Sequence, residues 1–148
     1  MKDNKDKLEN EYKDNKKRKI EFRGKAKNKK CWVVGDLIHC ENGYIIIEKK
    51  GGCIKVKPET IGQFTGLCDK NGKKIYEGDI VNILYDDDVI ENCVVVFGDY
   101  SIFRDEWGYR YSSCGFALKF DDGSGYTNLT SQKTYRYEVV GNIYDNRG

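Results

Sequence analysis

The sequence is poor in the residues from which catalytic sites are most often built. It contains one histidine, His39, and one proline, Pro58, among 148 residues. A serine or cysteine nucleophile is usually activated by a histidine within hydrogen-bond reach. Because His39 lies inside an apolar strand pattern with no such partner at a suitable spacing, the sequence predicts a protein that is not an enzyme and has no catalytic residues.

Close cysteine pairs are also missing. Six cysteines are present, but no two of them lie within five positions of each other, so no CxxC motif exists. Protein zinc sites usually contain such pairs, often completed by histidine. Cys31, His39 and Cys40 form the one cluster that could hold a metal, and we interpret these thiols instead as small buried residues in a reducing cytosol. The sequence therefore predicts no metal and no cofactor.

Long apolar runs are absent as well. A membrane-spanning helix needs roughly 18 or more apolar residues, whereas apolar runs such as residues 44–47 have only the length of a strand core. The N-terminus lacks the apolar region of a secretory signal. We therefore expect a cytoplasmic protein with no membrane partner.

Charge is nearly balanced, with 26 basic residues against 24 acidic ones. Arginine is scarce, which argues against a dedicated nucleic-acid reader, because its planar guanidinium suits phosphate and base recognition. Residues 1–19 are highly charged and contain only Leu8 and Tyr12 as large apolar residues. Such a segment buries too little surface to offset its ordering entropy, which predicts an arm that is disordered or a frayed helix. A solubilising extension is the favoured role, and contact with RNA, DNA or an acidic partner is the alternative.

The rest of the chain has the pattern of a mainly β protein. Short apolar segments are separated by turn signals every 8 to 12 residues, which favours a small barrel or a sandwich. Ile54 and Val56 alternate with Lys55 and Lys57, as in a half-buried strand. We divide the chain into the arm, an N-terminal β part over residues 20–60 and a second β part over residues 61–148.

Two features of the second part are less regular. Residues 101–113 are predicted to form a loop or a loose hairpin. Gly141 interrupts the last strand pattern and indicates a bulge or a sharp bend.

The most patterned stretch is IGQFTGLCDKNGKKIYEGDIV, residues 61–81. Asn71-Gly72 between two apolar segments is a strong signal for a hairpin. The stretch also resembles a phosphate-binding loop, but its glycine spacing is one residue too long, and Lys74 stands where serine or threonine is needed. A strand pattern follows instead of a helix, so we interpret it as a hairpin.

Two groups of carboxylates were considered as sites. Glu77 and Asp79 bracket a glycine and could act as an acid/base pair, but carboxylates in this position more often stabilise a turn. Residues 86–88 with Glu91 could hold a hard cation, but they lack the spacing of an EF-hand loop. We interpret both groups as parts of turns.

The aromatic and arginine residues near the C-terminus form the candidate interaction surface. Its predicted members are Trp107, Tyr109, Arg110, Tyr111, Tyr135, Arg136 and Tyr137. Alternate aromatic residues of a strand share one face, where they could stack on bases while arginine meets phosphate. The same pattern fits cross-strand packing or a subunit contact, which is the interpretation we favour.

Residues 61–81, together with YEVVGNIYDN at residues 137–146 and IEFRGKAKNKKCWVVGDLIHC at residues 20–40, resemble the YopX protein family of bacteriophages and prophages of Gram-positive bacteria. The resemblance covers residues 20–146; the arm and the segment 101–113 depart from it. It implies an N-terminal β-hairpin or sheet part and a C-terminal SH3-like small barrel. It further implies association into homo-oligomers and supplies no catalytic residues to carry over. We therefore expect a self-associating binding module in the cytoplasm of the bacterial host, with a host or phage protein as a further partner.

Overall fold

The computed structural model describes residues 2–15, 18–104, 107 and 110–145. In these residues the chain is mainly β, with one α-helix, α1 at Lys2–Asn15, and two short 3-10 helices, η1 at Pro58–Thr60 and η2 at Ser131–Arg136. None of the described helices has the length and the apolar character needed to cross a membrane. Leu8 and Tyr12 of α1 are 65% and 61% exposed. The helical alternative for the arm is confirmed over residues 2–15, and its mobility stays a prediction.

The first sheet contains six antiparallel strands. They are β1 at Phe22–Lys25, β2 at Trp32–Cys40, β3 at Gly43–Ile47, β4 at Cys53–Val56, β5 at Gly62–Cys68 and β6 at Lys74–Tyr76. Their order is β4-β3-β2-β1-β5-β6. A small core of Ala26, Val33, Ile46 and Val56 lies on one face. The predicted alternation in β4 is confirmed, since Val56 is buried and Lys55 is exposed.

The second sheet contains five antiparallel strands. They are β7 at Asp79–Tyr85, β8 at Asp88–Arg104, β9 at Arg110–Phe120, β10 at Tyr126–Asn128 and β11 at Tyr137–Asn142. Their order is β10-β9-β8-β7-β11. Val81, Val95, Leu118 and Tyr137 form the centre of its core, and Ile75 of β6 packs on them. The hairpin of β5 and β6 therefore belongs to the first sheet by hydrogen bonding and covers the second sheet by packing.

The predicted division between residues 60 and 61 stays a prediction. The first sheet continues across this point, because β1 pairs with both β2 and β5. The SH3-like barrel also stays a prediction, since neither sheet closes on itself in the described strands. The bulge predicted at Gly141 is confirmed by a register shift between Val139 and Gly141 where β11 pairs with β7.

The Asn-Gly hairpin joins β5 to β6. Gly72 has a φ of +79°, a conformation that glycine adopts at little cost. One carboxylate oxygen of Asp69 accepts the backbone N–H groups of Asn71 and Lys73, each at 2.9 Å. The polar side chain at the start of this turn therefore stabilises the bend, as the sequence indicates.

Candidate functional site

The longest hairpin of the molecule extends beyond the sheet that contains it. β7 pairs with β8 only as far as Val94, and β10 pairs with β9 only from Ala117 onward. Beyond these points, residues 97–104 and 110–116 pair with each other and with no third strand among the described residues. We call these two segments the ribbon. Eight residues of β8 at about 3.3 Å each step give it a length of about 23 Å.

The ribbon corrects one expectation and confirms its alternative. A loop over residues 101–113 is wrong, because Ser101 pairs with Ser112 and Arg104 pairs with Arg110. The hairpin alternative is confirmed. The sequence shows no clear alternation here because a two-stranded hairpin that leaves its sheet has no buried face to impose one.

Aromatic contacts fix the base of the ribbon. The rings of Phe97 and Phe116 meet edge to face with centroids 4.9 Å apart, and Tyr100 packs on Tyr126 of β10 at 4.6 Å. Between these contacts Gly98 pairs with Gly115. These contacts therefore anchor the base of the ribbon to the second sheet.

The far end of the ribbon carries the first group of predicted interaction residues. Trp107 lies at the tip with 77% of its surface exposed. Tyr109 lies outside the described residues. Arg110 and Tyr111 belong to β9, and their side chains lie outside the described part of the structure.

The second predicted group is divided between the surface and the core. Tyr135 is 71% exposed, whereas Tyr137 is 1% exposed and packs in the core of the second sheet. The expectation that the two rings share one face of a strand is wrong, because η2 continues to Arg136 and β11 begins only at Tyr137. Burial raises the pKa of the Tyr137 hydroxyl.

Tyr135 and Arg136 line a groove of about 420 Å³ together with Tyr85. The Arg136 Nε–H donates to the carbonyl of Leu84 at 2.8 Å, and its guanidinium lies 5.5 Å from the centre of the Tyr85 ring. Sequence reasoning missed Tyr85, because its partner is far away along the chain and no local pattern indicates the pairing.

The two predicted groups do not form one surface. Tyr85 ends β7 just before β8 begins, and Trp107 follows the other end of β8. Seventeen residues of strand separate the two ends, or roughly 50 Å. The groove beside Tyr85 and the tip of the ribbon are therefore separate surfaces.

Glu77 and Asp79 have different surroundings: Glu77 is half-buried in the turn before β7, and Asp79 is buried at the start of β7. Asp79 is 1% exposed, and it accepts the Arg23 guanidinium at 2.6 Å and the Tyr76 backbone N–H at 2.8 Å. Burial raises the pKa of the Asp79 carboxyl, and Arg23 opposes that shift. Arg23 also lies over the rings of Trp32 and Tyr76, at 4.6 and 4.7 Å. The ion pair with Arg23 thus joins the second sheet to β1. The bond from the Tyr76 N–H spans the turn before β7, which supports the interpretation of Asp79 as a residue that stabilises a turn.

His39 and the cysteines occupy unrelated positions. His39 is exposed near the end of β2 and stacks on Tyr44 at 4.6 Å. It is five residues, or about 16 Å of strand, beyond the position of β2 that pairs with Arg23. Cys93 is buried, and burial raises the pKa of its thiol to about 12. The expectation of buried thiols is wrong for the cluster near His39, since Cys31 is exposed and Cys40 is only partly buried. In the part of the chain that the structure describes, no three His, Cys, Asp or Glu residues are grouped so that they could hold a metal ion.

The carboxylates after β7 form a turn. Asp86 and Asp87 both have positive φ, at 48° and 67°, and they connect β7 to β8. The interpretation as a turn is confirmed for residues 86 and 87, whereas it is wrong for Asp88 and Glu91, which lie in β8 because they pair with β7.

The family model described as YopX protein matches residues 3–148 of this chain. The chain therefore belongs to the YopX family, and the resemblance seen in its hairpin and strand motifs is confirmed. No curated protein matches the chain.

Proposed function

We propose that this YopX-family chain is a non-catalytic binding module, encoded by a phage or prophage, that associates with its own copies through the ribbon. The observation that carries the proposal is the extension of β8 and β9 beyond every neighbouring strand in the described residues. A two-stranded hairpin alone is at best marginally stable in water. A second copy would supply both the missing neighbour strand and the missing apolar contact.

The composition of the ribbon and its tip supports a protein partner. Residues 97–116 contain seven of the 19 aromatic residues of the chain. Tyr, Trp and Phe are enriched where protein interfaces are buried. The same twenty residues carry three acidic side chains and two arginines, so their charge is mixed and slightly negative. This balance suits a self-complementary contact better than it suits a polyanion.

Sedimentation velocity over a dilution series tests the association. The chain has a mass of 17.1 kDa, and the proposal predicts a species of at least twice that mass which dissociates on dilution. A single species of monomer mass at every concentration would overturn the proposal.

Nucleic-acid binding through the arm and the aromatic residues is the alternative. Two observations weaken the case for nucleic-acid binding. Tyr137 is in the core, and α1 contains four lysines against five acidic residues. The remaining basic residues of the arm are concentrated at residues 16–19. The alternative predicts an affinity that falls steeply with salt and a flatter salt dependence after deletion of residues 1–19. Absence of a gel shift at low salt removes it.

Two finer assignments accompany the proposal. We place the protein in the cytoplasm of the bacterial host, where its free thiols would stay reduced. We also propose that β5 and β6 complete an SH3-like small barrel with the second sheet. The packing of Leu67 and Ile75 against the core of that sheet supports this architecture.

A further inference from the structure

A cleft of about 450 Å³ lies where residues 19–21, β2, β6 and the turn between β3 and β4 come together. Its charged lining consists of Lys19, Lys49, Lys50 and Lys74 against Glu21 and Glu48. Four lysines against two glutamates leave a charge of +2 in the lining. We call this cleft the lysine cleft.

Glu21 pairs with two lysines of the cleft, so its single negative charge does not neutralise both. Its side chain is 4% exposed and accepts Lys19 Nζ at 2.7 Å and Lys74 Nζ at 2.8 Å. The hydroxyl of Tyr76 also donates to it. One carboxylate thus faces two ammonium groups that remain roughly 40% exposed, at 42% and 39%. An anion in the cleft would meet both of them.

Lys49 and Lys50 lie on a well-formed turn. The Glu48 N–H donates to the carbonyl of Gly52 at 2.9 Å, and the Gly51 N–H donates to the carbonyl of Glu48 at 2.8 Å. Both lysines are exposed. The turn therefore presents two cations to the lysine cleft without using them to hold the fold.

Trp32 supplies a rigid aromatic wall. Its indole N–H donates to Asp145 at 2.8 Å, and the Arg23 guanidinium lies 4.6 Å from the centre of its ring. Val34, 38% exposed, lies beside it in the lining. These contacts fix the indole before any ligand arrives, so the wall needs no reorganisation on binding.

We propose that the lysine cleft binds the phosphate group of a nucleotide-sized phosphate ester, with the organic part of the ligand against Trp32. Lysine binds phosphate as a flexible point charge, and a charge of +2 matches a dianionic phosphate. The volume falls within the range of small-ligand sites, and an aromatic wall suits a base. This site lies apart from the ribbon and goes beyond the proposed function.

Isothermal titration calorimetry with adenosine monophosphate, inorganic phosphate and a short thymidylate oligonucleotide tests the proposal. The variant Lys49→Gln with Lys50→Gln removes two cations that the fold does not use. The matched control, Lys29→Gln with Lys30→Gln, makes the same change in charge at exposed positions of another turn. An NMR titration that follows the indole N–H signal of Trp32 in proton–nitrogen correlation spectra reports whether the ligand reaches the cleft.

We expect adenosine monophosphate to bind more tightly than inorganic phosphate and to shift the Trp32 indole signal. The cleft variant should weaken this binding by about tenfold or more, because two of the four cations that would attract the phosphate are removed. The control should bind like the wild type. The affinities for the oligonucleotide and the mononucleotide distinguish the two sources of the phosphate. Tighter binding of the oligonucleotide indicates a nucleic acid, and tighter binding of the mononucleotide indicates a free nucleotide. Equal weakening in both variants, or no binding of the mononucleotide at low salt, overturns the proposal.

Discussion

Asp69 and Val139 are joined by a hydrogen bond, in which the backbone N–H of Val139 donates to a buried carboxylate oxygen at 2.9 Å. The other oxygen of the same carboxylate accepts two N–H groups of the Asn-Gly turn. The Lys70 N–H also donates to the carbonyl of Tyr137 at 2.9 Å. The two motifs that identify the family, the hairpin and the last strand, therefore form one structural joint.

Replacing Asp69 with Asn should lower the free energy of unfolding by about 2 to 3 kcal/mol. The amide cannot accept the three backbone N–H groups as well as the carboxylate does, and a buried donor without an acceptor is costly. Urea unfolding measures the change. Asp122→Asn is the control, because Asp122 accepts one N–H, that of Ser124 at 2.8 Å, in an exposed turn. Equal losses in the two variants would contradict the role given to Asp69.

Tyr137→Ala should cost about 3 to 5 kcal/mol of stability, as expected when a buried aromatic ring is removed from a packed core. Tyr135→Ala should change stability by less than about 0.5 kcal/mol, since its side chain is mostly exposed. Thermal and urea unfolding of both variants compare the two. Similar losses would show that the two tyrosines are not divided between core and surface.

Gly78→Ala should destabilise the fold more than Gly72→Ala does. Both glycines have positive φ, at 89° and 79°, so each alanine variant is strained by about 1 kcal/mol. A Cβ at Gly78 would also lie 3.0 Å from Cε2 of Tyr144, whereas at Gly72 it would meet open space. Overpacking of this kind adds about 1 to 3 kcal/mol. A urea midpoint for Gly72→Ala that is equal to or lower than that of Gly78→Ala would contradict the close packing of Gly78 against Tyr144.

Glu21 should make the stability of the protein depend on pH. Burial alone would raise the pKa of this carboxyl, but hydrogen bonds from Lys19, Lys74 and Tyr76 outweigh burial and lower it from 4.5 to about 2. A lowered pKa stabilises the folded state above the unfolded pKa, and this stability is lost as the pH falls from about 4.5 towards 2. At 1.36 kcal/mol per pKa unit the contribution at neutral pH is at most about 3 kcal/mol.

Denaturant unfolding at a series of pH values measures this contribution. The difference in stability between the wild type and Glu21→Gln should be largest at neutral pH and should shrink across that acidic range. Glu41→Gln, at an exposed turn position, is the control. A difference for Glu21→Gln that stays constant with pH would show that its carboxylate is not held ionised by these partners.

Local features of the fold were predictable from the sequence, and contacts between distant segments were not. Asn71-Gly72 marks its turn through residues that are neighbours in the chain, and Gly141 marks the bulge in β11 in the same local way. Tyr135-Arg136-Tyr137 was misread, because period-two alternation applies only inside a strand and the strand begins at Tyr137. The ion pair of Arg23 with Asp79 joins residues 56 positions apart, and no local pattern indicates it.

The candidate sites show the same division. The aromatic residues around Trp107 drew attention to the ribbon, but their position on an extended hairpin depends on where the neighbouring strands end. The lysine cleft was missed because its four lysines come from separate segments. The turn at Lys49-Lys50-Gly51-Gly52 is a local feature, yet its position opposite Lys19 and Lys74 is set by the tertiary fold.

Light scattering on a variant with a shortened ribbon tests whether copies of the chain associate through the ribbon. In this variant an Asn-Gly turn replaces residues 100–113 and joins Asp99 to Cys114, which already pair. The matched control, Tyr85→Ala with Tyr135→Ala, alters the groove and leaves the ribbon intact. We expect the wild type and the control to assemble above the monomer mass, and the shortened chain to keep its fold by circular dichroism but to elute as a monomer. An assembly of unchanged mass after shortening would contradict this expectation.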